Sequence, residues 1–288
     1  MSIIKDIVYA PVSHWEKHTL DLYYPDRQLN ANKSLIVFVH GGAWRTGDKD
    51  EFVDMAQRIS TSTGDVVAVV NYTLSVAAIK DDPTSVRPEA QHPKHVQDVA
   101  KAVAYLYMNA EKYNGHYNPN HIFLVGHSAG GQITGMLALR PDLFLEPIET
   151  ELGLEKGVLH RAIRGVIGVE GIYNVDRILK RWPSYKDFII QGFGGDPETL
   201  IHGSPDGQQV PPGTAFRLPN YAVLQSNEDE LVEPEQAKEY HAHLLAVAGP
   251  SEDKVILEFG DWGKHDAMLQ TEQFAKTITK YVHGWEAQ

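Results

Sequence analysis

Ser128 stands in the pentapeptide Gly126-His127-Ser128-Ala129-Gly130, directly after the apolar run Ile122-Phe123-Leu124-Val125. Small residues on both sides let the chain turn sharply from a strand into a helix, with the hydroxyl exposed above the sheet. A serine alone is a weak nucleophile. It needs a base to take its proton and an acid to orient that base. Two downstream segments offer them. Gly263-Lys264-His265-Asp266 carries an imidazole, and His265 is the expected base. Ser226-Asn227-Glu228-Asp229-Glu230-Leu231-Val232 carries three carboxylates shortly before Pro234. Asp229 is the expected acid, with Glu228 and Glu230 as alternatives.

A second glycine-rich turn, His40-Gly41-Gly42-Ala43-Trp44, follows the run Leu35-Ile36-Val37-Phe38-Val39. An attacked carbonyl develops negative charge, and fixed N–H groups can hold it. The amides of Gly42 and Ala43 are expected to do so, with Ala129 as the donor after the nucleophile. Gly41 makes the bend possible. His40 is expected to brace the turn and His127 to line the elbow, while Trp44 is a candidate wall of the substrate pocket. No cofactor and no metal site is expected. His241 and His243 lie two apart on a helical stretch and so point different ways, and no H-E-x-x-H occurs. Gly192-Phe193-Gly194-Gly195 follows no strand, so it does not read as a nucleotide loop.

These residues need a scaffold that brings them to one edge. Apolar runs recur at 35–39, 66–70, 122–125, 166–169, 221–224 and 255–259. Helical patterns lie at 50–62, 94–113, 129–140, 234–248 and 266–284. Near-continuous apolar strands alternating with helices imply a parallel sheet covered on both faces. Ile4–Tyr9 and His18–Tyr24 are expected to add two leading strands, giving eight. Two stretches break the alternation: 73–93, with Pro83, Pro88 and Pro93, and 171–219, with Pro183, Pro197, Pro205, Pro211 and Pro212. Long insertions of this kind often form lids or pocket walls.

The bulk properties bound the partners. The 288 residues fit one α/β domain, 1–288, and include no cysteine. Disulfides, thiolate metal sites and a cysteine nucleophile are therefore excluded, and the composition suits a reducing compartment. The net charge of −12 argues against nucleic acid. Met1–Asp6 is soon charged, so no secretory signal is expected, and no run approaches the ~20 apolar residues of a membrane span. The expectation is a cytoplasmic monomer or homodimer acting on a small molecule.

Taken together, His40–Trp44, Gly126–Gly130, Asp229 and His265 resemble the α/β-hydrolases related to hormone-sensitive lipase. His-Gly-Gly-x-Trp is similar to the motif of fungal-type kynurenine formamidases (arylformamidases). So are Glu170-Gly171-Ile172-Tyr173-Asn174, Arg181-Trp182-Pro183-Ser184-Tyr185 and Asp229-Glu230-Leu231-Val232. The resemblance covers roughly residues 35–284. It implies an α/β-hydrolase fold and hydrolysis of N-formyl-L-kynurenine to kynurenine and formate in tryptophan breakdown. Segment 190–220 is longer and richer in Gly and Pro than that family's pattern. A carboxylesterase of short acyl esters is the alternative reading, and a non-catalytic ligand receptor is a third.

Overall fold

The computed structural model describes residues 2–11, 17–26, 33–79, 82, 85–113, 116–210, 216–248 and 254–287. Pro83, Pro211 and Pro212 lie outside them. Eight strands form one sheet: β1 (Ser2–Val8), β2 (Thr19–Tyr24), β3 (Leu35–Val39), β4 (Val66–Val70), β5 (Ile122–His127), β6 (Ile163–Val169), β7 (Asn220–Ser226) and β8 (Val255–Gly260). Their spatial order is β1-β2-β4-β3-β5-β6-β7-β8. β1 and β2 pair antiparallel, β2 meets β4 antiparallel, and β3 to β8 run parallel. This is the α/β-hydrolase fold, with two leading strands and six parallel ones as the sequence pattern implies.

The apolar runs are continuous because both faces are covered. Leu35, Val37 and Val39 of β3 point into one core and Ile36 and Phe38 into the other. β4 divides the same way, with Val66, Ala68 and Val70 opposite Val67 and Val69. This is the period-two alternation of a strand. Helices α1 (Val53–Thr63) and α11 (Glu272–Glu286) cover one face, through Met55, Ile59, Phe274 and Ile278. Helices α2 (Lys94–Met108), α3 (Ala129–Leu139) and α10 (Pro234–Ala248) cover the other, through Val99, Ile133 and Tyr240. Each buried Val, Leu or Ile contributes about 1.5–3 kcal/mol of transfer free energy.

Several helix boundaries depart from the sequence reading. The pattern at 94–113 breaks at Asn109, whose side-chain amide donates to the Tyr105 carbonyl at 2.8 Å, and a 3₁₀ turn, Ala110–Tyr113, follows. A short polar side chain that bonds the backbone competes with helix continuation. The last helix starts only at Glu272, where Thr271 caps it by accepting from the Phe274 N–H. Between β5 and β6 lie three short helices not anticipated, α4 (Pro141–Phe144), α5 (Glu146–Leu152) and α6 (Val158–Ala162).

The insertion at 171–219 is not a loop. It holds α7 (Val175–Arg181), α8 (Lys186–Phe193) and α9 (Pro197–His202), with a 3₁₀ turn at Pro183–Tyr185. Pro183 and Pro197 occupy first-turn positions, where a missing N–H is no loss and the fixed φ suits a helix. Pro183 and Pro197, taken as loop markers, start helical turns here.

Candidate active site

The elbow is built by close approach. Ser128 has φ 54° and ψ −117° between β5 and α3, a sparsely populated conformation that costs roughly 1–3 kcal/mol and is held by its surroundings. The Ser128 N–H donates to the Val169 carbonyl at 2.9 Å, and its own carbonyl accepts from Gly131 at 2.9 Å and Ile172 at 3.2 Å. Gly130 lies against β3 so tightly that an added Cβ would sit 2.0 Å from the Val39 carbonyl oxygen. Ser128 keeps 6% of its surface exposed, at the mouth of a cavity.

The turn after β3 presses onto this elbow. A Cβ at Gly41 would meet Ser128 Cβ at 2.8 Å and His127 Nδ1 at 2.9 Å. Gly42, Ala43 and Trp44 all have positive φ, at 102°, 51° and 58°. The Gly42 carbonyl accepts from the N–H groups of Arg45 and Thr46, both at 3.0 Å. No described residue accepts a hydrogen bond from the N–H of Gly42, Ala43 or Ala129. His40 braces the turn from beneath. Its Nδ1 lies 2.7 Å from the Gly41 carbonyl, and its ring stacks on Tyr72 at 4.5 Å and Phe52 at 5.8 Å. Full burial pushes its pKa down to about 4, so the ring is neutral. The Tyr72 hydroxyl donates to the carbonyls of His40 and Gly41, at 3.0 and 3.3 Å.

His265 follows β8, and the loop after β7 reaches across to it. His265 Nδ1 lies 3.0 Å from Asp229 Oδ2. The other carboxylate oxygen, Oδ1, accepts from the N–H groups of Leu231 and Val232 at 2.9 and 3.0 Å. Gln225 Nε2 donates to Oδ2 at 2.9 Å. Burial opposes the charge on Asp229, but the hydrogen bond and charge interaction with His265, with the two backbone donors, outweigh it and hold its pKa below the usual value. The neighbouring carboxylates do something else. Glu228 Oε2 accepts from the Gly263 N–H at 2.8 Å and Glu230 Oε2 from the His265 N–H at 3.2 Å. Both tie down the backbone of the histidine loop, and of the three only Asp229 meets the imidazole. With Nδ1 on the carboxylate, Nε2 is left for the cavity side.

The cavity has a volume of about 300 Å³. Its rim near Ser128 and His265 includes Gly42, Ala43 and Asp266, and its walls include Ile178, Tyr185, Phe188 and Leu231. Arg45 also lines it, with its guanidinium 5.2 Å from the centre of the Phe188 ring. Trp44 does not. It is fully buried, donates from Nε1 to Gln132 Oε1 at 3.0 Å, and meets Phe193 edge-on at 4.7 Å. The expected wall residue is instead the support behind the wall, because an indole this deep must spend its N–H on an internal acceptor. Segment 73–93 supplies no lining residue among those described. It fastens the turn instead, through the Ser75 N–H to the Trp44 carbonyl at 2.7 Å. The insertion after β6 does line the cavity, through Ile172, Ile178, Tyr185 and Phe188.

Sequence reasoning passed over Arg45 and Phe188, and it placed Glu170 and Tyr185 in similar stretches without giving either a role. Arg45 adjoins the glycine turn, which was the available signal; the aromatic pair sits in a segment taken for loop. His127, Glu170 and His265 bring ligand atoms within 4.8 Å of one another, as do Asp65, His283 and Glu286. In the first group His265 Nδ1 faces Asp229 and His127 Nε2 lies 3.2 Å from the His265 carbonyl. Those nitrogens are engaged in hydrogen bonds. Among the described residues no helix is long and apolar enough to cross a membrane.

The profile of the BD-FAE family matches residues 20–244. The chain belongs to the BD-FAE family. This BD-FAE chain is 26% identical over 258 residues to the kynurenine formamidase of Meyerozyma guilliermondii, covering 89% of this chain and 87% of that protein. It is 24% identical to the kynurenine formamidase of Scheffersomyces stipitis, covering 86% and 90%. Among solved structures, the inhibited esterase B of Lactobacillus rhamnosis superposes with a TM-score of 0.74 at 17% identity, over 100% of this chain and 88% of the other.

Proposed function

We propose that this BD-FAE chain is a serine hydrolase that converts N-formyl-L-kynurenine to L-kynurenine and formate. The observation that carries the reading is the meeting of Ser128, the Asp229-held His265 and the free amides of Gly42 and Ala43 at one cavity, with the free amide of Ala129 next to the serine. Ser128 Oγ attacks the formyl carbon while His265 Nε2 takes its proton. The oxyanion rests on the amides of Gly42, Ala43 and Ala129, with Gly41 giving them room. His265 then gives the proton to the arylamine nitrogen as the C–N bond breaks, and kynurenine leaves. Water, activated by the same imidazole, releases formate from Ser128. The formamidases among its relatives support this choice of substrate.

Substrate chemistry matches the walls. A formyl group is small enough to sit under the oxyanion turn. The aromatic ring finds Tyr185 and Phe188, and the carboxylate finds Arg45. A volume near 300 Å³ lies at the small end of ligand cavities. Absence of cysteine supports a cytoplasmic setting, with a small molecule as partner and a monomer or homodimer as the assembly.

The test compares N-formyl-L-kynurenine with p-nitrophenyl acetate on one preparation. kcat/KM is expected to be higher for the formamide, since the amino-acid part supplies transition-state binding that a small ester lacks. Arg45→Ala is expected to raise KM for the formamide about 10–100-fold, as befits loss of a charge-assisted contact, and to leave KM for the ester nearly unchanged. Robust ester cleavage without kynurenine release would leave a carboxylesterase of short acyl esters, the reading favoured by the esterase-like fold.

A further inference from the structure

Glu170 stands at the end of β6, one strand from the nucleophile and one from the acid. It is fully buried, yet neither carboxyl oxygen has a well-formed hydrogen bond among the described residues. Its Oε2 lies 3.5 Å from His265 Nδ1 and 3.6 Å from His127 Nε2. The backbone is held at φ 48°, with its N–H donated to the Leu224 carbonyl at 2.8 Å. A side chain present for packing alone would be better served by an amide or an apolar group, because a buried, unsatisfied carboxyl carries a desolvation cost. The strained backbone aims this one at the imidazole instead.

We propose that Glu170 is a second carboxyl for His265, a positioning residue on the Nδ1 side of the ring that orients the imidazole when the charge of Asp229 is missing. The inference rests on the reading of Ser128, Asp229 and His265 as the catalytic set. Six titratable neighbours bear on it, among them Tyr173 from the segment after β6. His127 comes from the end of β5, Asp229 and Glu230 from the loop after β7, and His265 and Asp266 from the loop after β8. Burial first, then the charge of Asp229, push the Glu170 pKa up to about 9, against the pull of the Ser226 N–H. Burial also keeps His127 neutral. In the native protein Glu170 is therefore uncharged at neutral pH, and Asp229 alone carries the charge beside Nδ1. With Asp229 replaced by asparagine, one source of the upward push is gone. The carboxyl nearest Nδ1 is then Glu170, which ionises as pH rises.

The experiment uses p-nitrophenyl acetate hydrolysis by the full chain and its Asp229→Asn, Glu170→Gln and doubly substituted variants, over about pH 7 to 10, the range in which a buried carboxyl of this kind titrates. Glu170→Gln alone is the folding control for the double variant, read by thermal denaturation. Asp229→Asn is expected to lose less than the ~10⁴-fold seen for a triad acid without a substitute. Its residual rate should climb with pH. The double variant should lose that climb and fall to the full loss. Coincident profiles for Asp229→Asn and the double variant would overturn the proposal. Should the double variant not fold, a flat Asp229→Asn profile overturns it equally. Ser128→Ala is the separate control: if it retains activity, the catalytic reading fails, whatever the Glu170 variants do.

Discussion

Ser128→Ala is expected to lower kcat by about 10⁶-fold, the scale on which removing a triad serine acts. In the proposed mechanism the hydroxyl is the attacking atom. The other hydroxyls lining the cavity are committed: Thr46 donates from Oγ1 to the Gly42 carbonyl at 3.0 Å and Tyr185 to the Leu231 carbonyl at 3.3 Å. The same variant should lose its reaction with a fluorophosphonate. Intact-mass measurement is expected to give one adduct on the native chain and none on Ser128→Ala. An adduct on the alanine variant would place the nucleophile elsewhere. Folding should be unaffected. The side chain's role is chemical, and the elbow is held through its backbone by Val169, Gly131 and Ile172.

The second large effect falls on the fold. Gly130→Ala puts a methyl 2.0 Å from the Val39 carbonyl oxygen and 2.9 Å from that of His40. These are backbone atoms at the end of a central strand, hydrogen-bonded on both sides to β4 and β5. They cannot swing aside as a side-chain tip would. The cost is expected to exceed about 4–5 kcal/mol, the range reached only by severe overpacking and its equals. Thermal denaturation should show a drop of about 10 °C or more, or the variant should fail to appear in soluble form. Gly284→Ala is the matched control, because it is a helical, exposed glycine with nothing within 4 Å of the added methyl. It is expected to gain up to about 1 kcal/mol from helix propensity. A Gly130→Ala protein with native Tm and native kcat would contradict the close packing of strand end and elbow.

The sheet was legible in the sequence because each central strand is buried on both faces and must read as an unbroken apolar run. The serine, histidine and aspartate segments were legible because they follow such runs directly. What was not legible depends on tertiary context. Three adjacent carboxylates at 228–230 look alike in a sequence, and only the crossing of two loops sends one to the imidazole and the others to backbone amides. Trp44 looks like a wall because it adjoins the oxyanion turn, yet its positive φ turns it inward against Phe193. Prolines signal turns and helix starts with the same letter, so 171–219 read as loop. Glu170 stood in a stretch similar to the formamidases, but nothing there pointed to the imidazole, since its meaning lies in a distance to a residue 95 positions later (265 − 170).

The serine, the glycine turn and the histidine all follow the C-terminal ends of parallel strands, and the first two are locked by contacts at Gly41 and Gly130 that leave no room for an added atom. The aromatic side chains facing them, Tyr185 and Phe188, come from one excursion of the chain between β6 and β7. The serine, the histidine and the aromatic walls are thus encoded in separate stretches of the gene, with Arg45 beside the glycine turn as the exception. Exchanging residues 175–203 for the matching stretch of a relative should change which acyl compound is accepted and leave the bond-breaking apparatus in place. Such a fold can diversify by rewriting one contiguous passage.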